Sequence, residues 1–261
     1  METKDFFSPA ILEGKVSLMT GAGRGLGKVM AQALADAGSA LILIARHEEE
    51  IDRTVKEIQN TGKKVLAIKA DVTKSDDISR VVEKAMSEFK KIDILINNAG
   101  QNASYVYHKF EDIPETEWIS MIQTNVTGVF LVTQIVGRMM LAQGSGKIIN
   151  IASSMGVRPA PERICYSVSK AAVIQMTKAL AVEWAPLGIT VNCIAPGSLD
   201  LYPGSTDERY LKLNEERKKR IPLDRLGRLE EVGFLLVYLA SDASDYMTGE
   251  TIFIDGGMVV G

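Results

Sequence analysis

Apolar positions along the chain fall into short continuous runs separated by longer stretches with helical spacing. Residues 15–20, 40–45, 64–70, 92–96, 147–152, 189–194 and 251–254 are rich in β-branched side chains and apolar on both faces. That is the pattern of strands buried on both sides in a parallel sheet. Helices are predicted over 26–37, 47–61, 75–89, 114–141, 164–185, 207–219 and 229–240, with Gly38 and Gly62 as stop signals. Strand–helix alternation of this kind predicts an α/β fold, a doubly wound parallel sheet of about seven strands flanked by helices. No linker, repeat or low-complexity tract interrupts it, so residues 1–261 are expected to form one domain. The Gly- and Pro-rich stretch 196–205 follows a strand, and ligands bind beyond strand ends in open α/β sheets.

Composition narrows the function classes. Apolar residues are 46% and charged residues 24% of the 261, enough for a large core and unlike a disordered chain. The net charge is −3, and no stretch is basic enough to suggest a nucleic-acid partner. The densest, Arg217-Lys218-Lys219-Arg220, follows Glu215-Glu216 and reads as a solvated helix face. Two cysteines, Cys165 and Cys193, do not make a disulfide framework and fit a reducing compartment. Residues 1–9 carry Glu2 and Asp5 and do not read as a signal peptide. No run reaches the roughly 18 consecutive apolar residues of a membrane span. A cytoplasmic location without a membrane partner is the expectation.

Two segments carry candidate chemistry. Thr20-Gly21-Ala22-Gly23-Arg24-Gly25-Leu26-Gly27 joins the first strand to the first helix. Glycines there permit a tight turn and a close backbone approach to a pyrophosphate, which the positive end of the helix favours. The placement points to a Rossmann-type dinucleotide site with Gly21, Arg24, Gly25, Leu26 and Gly27 as contacts. A site for NAD often has an acid at the end of the second strand, for the ribose 2′-hydroxyl. Here Ala45 is followed by Arg46. A guanidinium can pair with a 2′-phosphate, and Arg24 adds a second charge, so NADP(H) is expected over NAD(H). The second segment is Tyr166-Ser167-Val168-Ser169-Lys170. Spacing of four places Tyr166 and Lys170 one helical turn apart on one face. A nearby ammonium favours the phenolate and brings the tyrosine toward proton exchange at working pH. The two histidines, His47 and His108, lack metal-ligand spacing, and no catalytic metal is expected. Cys165, Trp118 and Trp184 read as packing residues.

Over nearly its full length the chain resembles the short-chain dehydrogenase/reductase family. The glycine loop matches the family's TGxxxGxG, and Asp71-Val72 match the pair that contacts adenine. Asn97-Asn98-Ala99-Gly100 match the NNAG beside the cofactor, and Asn125-Val126-Thr127-Gly128 carry the family's relay asparagine. Ser153 stands thirteen residues before Tyr166, and Pro196-Gly197 match the turn beside the nicotinamide. The resemblance implies an NAD(P)-dependent enzyme acting on CH–OH donors. Ser153 would donate a hydrogen bond to the substrate oxygen and Tyr166 would give or take the proton. Lys170 would lower the tyrosine's pKa and hold the nicotinamide ribose, and Asn125 would link Lys170 to solvent through a water. It further implies a homotetramer built on the two long helices and the C-terminal segment. One departure stands out: the family often has a threonine five residues past Pro196, where this chain has Leu201.

Substrate choice in the family comes largely from a loop and helix, here about 198–221, and from the stretch after Ser153. Met155, Arg158, Arg163, Leu199 and Tyr202 are candidates. Arg158 or Arg163 would pair with a carboxylate on a small acid, or else face solvent. Within the family the chain most resembles gluconate 5-dehydrogenase-type sugar and polyol dehydrogenases. The alternative is a 3-oxoacyl-carrier-protein reductase, but the positions of its carrier-docking arginines hold Gly144 and Leu187. A non-enzyme reading, an NADP(H)-binding sensor or scaffold, is disfavoured by the full set Asn125, Ser153, Tyr166 and Lys170, since binding needs no proton relay.

Overall fold

The computed structural model describes residues 8, 10–59, 62–101 and 108–261. Among them the chain forms seven strands, β1 (Val16–Thr20), β2 (Ala40–Ala45), β3 (Val65–Lys69), β4 (Ile94–Asn97), β5 (Gly146–Ile151), β6 (Ile189–Pro196) and β7 (Thr251–Ile254). All neighbours pair in parallel, in the order β3-β2-β1-β4-β5-β6-β7. The helices are α1 (Gly25–Asp36), α2 (Glu48–Gln59), α3 (Ser75–Phe89), α4 (Glu115–Ile122), α5 (Gly128–Gln143), α6 (Ile164–Trp184), α7 (Glu208–Lys218) and α8 (Leu229–Ala240). The expected second helix ran on to residues 60 and 61, which lie outside the described residues, as does the N-terminal stretch 1–9 apart from Ser8.

Period-two alternation explains why the strands read as unbroken apolar runs. Leu41 and Leu43 of β2 join one core with Met30, Leu34, Ile51 and Leu236 from α1, α2 and α8. Ile42 and Ile44 of the same strand join the opposite core with Ile78, Val81, Val136 and Ala181 from α3, α5 and α6. β2 therefore buries both faces. Buried amides bind the central strands as well. Asn97 Nδ2 donates to Asn150 Oδ1 at 2.8 Å and to Thr133 Oγ1 at 2.9 Å, and Asn150 Nδ2 donates to Thr177 Oγ1 at 2.9 Å. These bonds satisfy polar groups that would otherwise be costly to bury.

The structure departs from the expected single helix over 114–141. Gln123–Thr127 form a π-helical turn between α4 and α5, and apolar periodicity alone does not reveal such an insertion. By length and composition the run Glu115–Gln143 is apolar enough to cross a membrane, although it has no unbroken run of apolar residues. Here it packs through Val132, Val136 and Met140 against the sheet. Trp184 packs on α5 as expected, against Gly137, whereas Trp118 is 37% exposed. The strand order reverses between β1 and β4, so the carboxyl ends of β1, β4, β5 and β6 open onto one crevice, the position where ligands bind in this architecture.

Candidate active site

That crevice is a cleft of about 1210 Å³. Its nucleotide half is built on the turn after β1. Gly21 has φ 67°, in the left-handed region that glycine tolerates. A Cβ on Gly27 would stand 2.0 Å from the Gly21 carbonyl oxygen, so strand end and helix start touch backbone to backbone. Thr20, which sequence reading took only as the start of the motif, ties this turn to β4. Its hydroxyl oxygen accepts from Asn98 N and Ala99 N, each at 2.9 Å, and Asn98 Nδ2 donates to Gly21 O at 2.9 Å. Gly21, Arg24, Gly25, Leu26 and Gly27 all line the cleft, as do Asn98, Ala99 and Gly100 from beyond β4. Arg46 lies at the end of β2, and Asp71 and Val72 after β3, on the same wall. Asp71 is oriented locally: its Oδ1 accepts from Thr73 N at 3.0 Å and Thr73 Oγ1 at 2.8 Å. This glycine cradle, with cationic and acidic side chains along one rim, suits a dinucleotide.

Sequence reading missed Glu50. It sits in the first turn of α2, lines the same wall and lies 3.9 Å from Arg24. Spacing from the glycine loop does not point to it, because α2 folds back over the loop only in three dimensions.

The other half of the cleft carries the candidate chemistry. Ser153, at the end of β5, lines it and its neighbour Ser154 does not. The Ser153 hydroxyl accepts from Met155 N at 3.2 Å and is in hydrogen-bonding reach of the Tyr166 phenol. Lys170 lies one turn along α6, with Nζ 5.7 Å from the centre of the Tyr166 ring and donating to Ile151 O at 2.8 Å. Pro196 and Gly197 close the cleft at the end of β6. Asn125 stands behind this wall, on the π-helical turn. Its Oδ1 accepts from Gln101 N at 2.7 Å, and its Nδ2 donates to Gln101 O at 3.2 Å and Ser169 Oγ at 3.0 Å. The turn thus aims Asn125 inward to hold the segment after β4, a use of π-turns that recurs at functional sites. Where the family often has threonine, Leu201 packs toward the core. Its backbone N–H donates to Tyr210 Oη at 2.9 Å, and that phenol donates to Asp200 Oδ1 at 2.7 Å. The loop is therefore pinned from α7.

The electrostatics differ from the expected pairing in one respect. Burial pushes the Tyr166 phenol above its ordinary value, and the Ser153 hydrogen bond opposes this. Burial also pulls Lys170 down to about 8. Enclosure disfavours both charged forms, so the protein's own groups hold the tyrosine neutral rather than ionised by its lysine. Folded Lys170 gives up its proton near pH 8, whereas the ordinary side chain keeps it to 10.5. Between those values the unfolded chain binds more protons, and Lys170 makes stability rise with pH. Urea unfolding should show this against Lys170→Met. The variant's stability relative to wild type should fall by up to roughly 3 kcal/mol as pH rises through that window. A pH-independent difference would contradict it.

Cys165 is buried, with its thiol pushed up by burial, which fits packing. His47 lines the cleft, and His108 pairs with Glu117 at 3.3 Å. Among the described residues no three His, Cys, Asp or Glu side chains group as metal ligands. The basic run at the end of α7 is not the uniform solvated face expected. Lys218 and Lys219 pair with Glu215 and Glu216, but Arg217 and Arg220 line the cleft.

The fold and this cleft define an oxidoreductase that uses a nicotinamide dinucleotide. The family model described as enoyl-(acyl carrier protein) reductase matches residues 21–259. An NAD-dependent glycerol dehydrogenase of Listeria innocua is 38% identical, with 100% of each chain covered. A 3-oxoacyl-[acyl-carrier-protein] reductase of Thermotoga maritima is 41% identical over 95% of this chain and 99% of its own. The crystal structure of a gluconate 5-dehydrogenase from Burkholderia cenocepacia, in complex with NADP and tartrate, superposes with a TM-score of 0.88. It is 33% identical and covers 97% of this chain and 98% of its own. The chain belongs to the short-chain dehydrogenase/reductase family.

Proposed function

We propose that this enzyme is an NADP(H)-dependent oxidoreductase acting on the carbonyl or alcohol of a sugar, sugar acid or polyol. The observation that carries the reading is the convergence of Ser153, Tyr166 and Lys170 on a cleft whose other half is a glycine cradle. When bound, the nicotinamide supplies or accepts the hydride. In reduction, Ser153 donates a hydrogen bond to the substrate oxygen and stabilises its developing charge. Tyr166 passes its hydroxyl proton to that oxygen, and a neutral phenol is the form able to do so. Lys170 holds the ribose and returns a proton toward Tyr166, with Asn125 positioning the backbone beside it. Chain 1–261 acts as one unit, with about 198–221 covering the substrate.

Two observations favour second readings. Glu50 on the nucleotide wall would repel a 2′-phosphate, which favours NAD(H), while Arg46 and Arg24 favour NADP(H). The Thermotoga relative supports an acyl-carrier reductase. Leu187, where a carrier-docking arginine would stand, is 50% exposed and apolar, which supports the sugar reading. Exposed Phe130 on α5, Val182 on α6 and Phe234 on α8 support a homotetramer, which light scattering would distinguish from a 28.5 kDa monomer.

Consumption of NADPH and NADH against 5-ketogluconate, neutral ketoses and β-ketoacyl thioesters tests the proposal. Turnover of a keto-sugar or keto-sugar acid with NADPH is expected. Turnover confined to thioesters would overturn the substrate class, and a preference for NADH would give Glu50 control of the cofactor.

A further inference from the structure

We propose that Tyr210 is a positioning residue for the substrate: its hydroxyl, held by Asp200, fixes the backbone of Leu201 and Tyr202 in the cleft wall and so sets how closely that wall fits the reacting molecule. This rests on the oxidoreductase reading of the cleft and not on the choice of a sugar as substrate. Tyr210 stands in the first turn of α7. Its phenol oxygen accepts from Leu201 N at 2.9 Å and from Tyr202 N at 3.1 Å, and donates to Asp200 Oδ1 at 2.7 Å. A hydroxyl has one proton and two acceptor lone pairs, so this one is fully used. Asp200 Oδ1 accepts from Tyr202 N as well, at 3.3 Å. One side-chain pair thus supplies partners to two successive loop amides that lie in no strand or helix. The rings of Tyr202 and Tyr210 add an edge-on contact, with centroids 5.4 Å apart and planes at 74°.

The start of the loop is held differently, by backbone. Leu199 bridges Gly227 in parallel, Gly227 N donates to Ser198 O at 3.0 Å, and Asp200 N donates to Gly227 O at 2.9 Å. That anchor reaches Asp200, and the next two amides are the ones Tyr210 takes. Leu199, Leu201 and Tyr202 all line the cleft, so the amides held by Tyr210 belong to its wall. The helix start that carries Tyr210 is itself fixed. Asp207 caps it, with Oδ1 accepting from Arg209 N at 2.8 Å and Tyr210 N at 3.3 Å. Leu213 and Arg217 lie three and seven residues further on, on the same helix face as Tyr210, and both line the cleft. One hydroxyl therefore ties the loop wall to the helix wall. Ser153, Tyr166, Lys170 and the glycine cradle belong to β5, α6 and the β1–α1 turn. Loosening this tie therefore leaves the proton donor and the cofactor seat in place and acts on the fit of the substrate.

The test compares kcat and KM in wild type, Tyr210→Phe, Asp200→Asn and Asp200→Ala, at saturating NADPH. The substrate is whichever of 5-ketogluconate, fructose and acetoacetyl-coenzyme A the wild type uses fastest. Hydrogen exchange on the NADPH-loaded protein follows the amides of residues 201 and 202 without any turnover. Tyr210→Phe keeps the ring and loses the hydroxyl. It should raise KM by about five- to thirtyfold with kcat within about twofold of wild type. NADPH binding, read by fluorescence, should be unchanged, and exchange at 201 and 202 should quicken. Asp200→Asn keeps an Oδ1 acceptor and should raise KM less than Asp200→Ala, a graded rescue that a general loss of folding would not give. Unchanged exchange at 201 and 202 in Tyr210→Phe would overturn the inference. So would an unchanged KM with quickened exchange, a loss confined to kcat, or a loss of NADPH binding in step with the rise in KM. Each of these leaves the oxidoreductase reading standing. Turnover of acetoacetyl-coenzyme A alone would overturn the sugar reading, and the rise in KM would then be expected on that thioester.

Discussion

Tyr166→Phe should reduce kcat by about 10²- to 10⁴-fold while leaving NADPH affinity within about twofold of wild type. The substitution removes one oxygen and keeps the ring. That ring lies beside Lys170 and in reach of Ser153, so the shape of the cleft survives and the transferable proton does not. Stopped-flow reduction with NADPH measures the chemical step, and fluorescence measures the cofactor. Burial raises the Tyr166 pKa, so the wild-type enzyme should keep its proton-donating form well into alkaline solution. Reduction should therefore lose rate on the alkaline side only when Lys170, near 8, has discharged. Survival of turnover in Tyr166→Phe would remove Tyr166 from the mechanism. Equal loss of turnover and of cofactor affinity would mean the phenol acts as a binding group, which is the behaviour of a sensor.

Much of this site could be read along the chain because its parts are local. The glycine loop is one strand-to-helix turn, and Tyr166 and Lys170 share one helix face, so neighbouring positions carry the geometry. The parallel sheet of about seven strands was legible for a related reason: β-branched runs alternating with amphipathic stretches admit few other architectures. The features that escaped are those made by distant segments meeting. Glu50 reaches the nucleotide wall because α2 folds over the loop, and Arg217 lines the cleft from α7 while the neighbouring Lys218 and Lys219 pair with Glu215 and Glu216. A run of four basic residues has no internal sign of that division, although Asn214, three residues before Arg217, is the kind of polar residue that would sit on the inner face. The π-helical turn at Asn125 escaped because one extra residue in a turn leaves the apolar pattern nearly unchanged. Tyr166 shows a further limit. Spacing places an ammonium near a phenol, but only the depth of both groups shows that enclosure outweighs their attraction.

Gly27→Ala should abolish measurable NADPH binding and also destabilise the protein before any cofactor is added. The new methyl group would stand 2.0 Å from Gly21 O and 2.8 Å from Asn98 Nδ2. Neither atom can move alone. Gly21 O accepts from Asn98 Nδ2, and the same amide donates to Thr20 O at 3.1 Å. Relief therefore requires α1 to shift off the end of β1, or the β1–β4 ties to break. Losing two such part-buried hydrogen bonds and the helix packing amounts to roughly 3 kcal/mol, a large part of a typical domain's stability. Gly25→Ala provides the contrast. Space around Gly25 is open, but its φ is 53°, so alanine there carries only a left-handed strain of about 1–2 kcal/mol. Its methyl group would project from a residue lining the nucleotide half of the cleft. Thermal unfolding of the cofactor-free proteins should therefore place Gly27→Ala well below Gly25→Ala and Gly25→Ala modestly below wild type, while both variants bind NADPH poorly. If Gly27→Ala instead melted like wild type, the backbone contact between strand end and helix start would not be what shapes this cradle. If it melted low but still bound NADPH normally, the loop would be structural and the dinucleotide would have to be held elsewhere in the cleft.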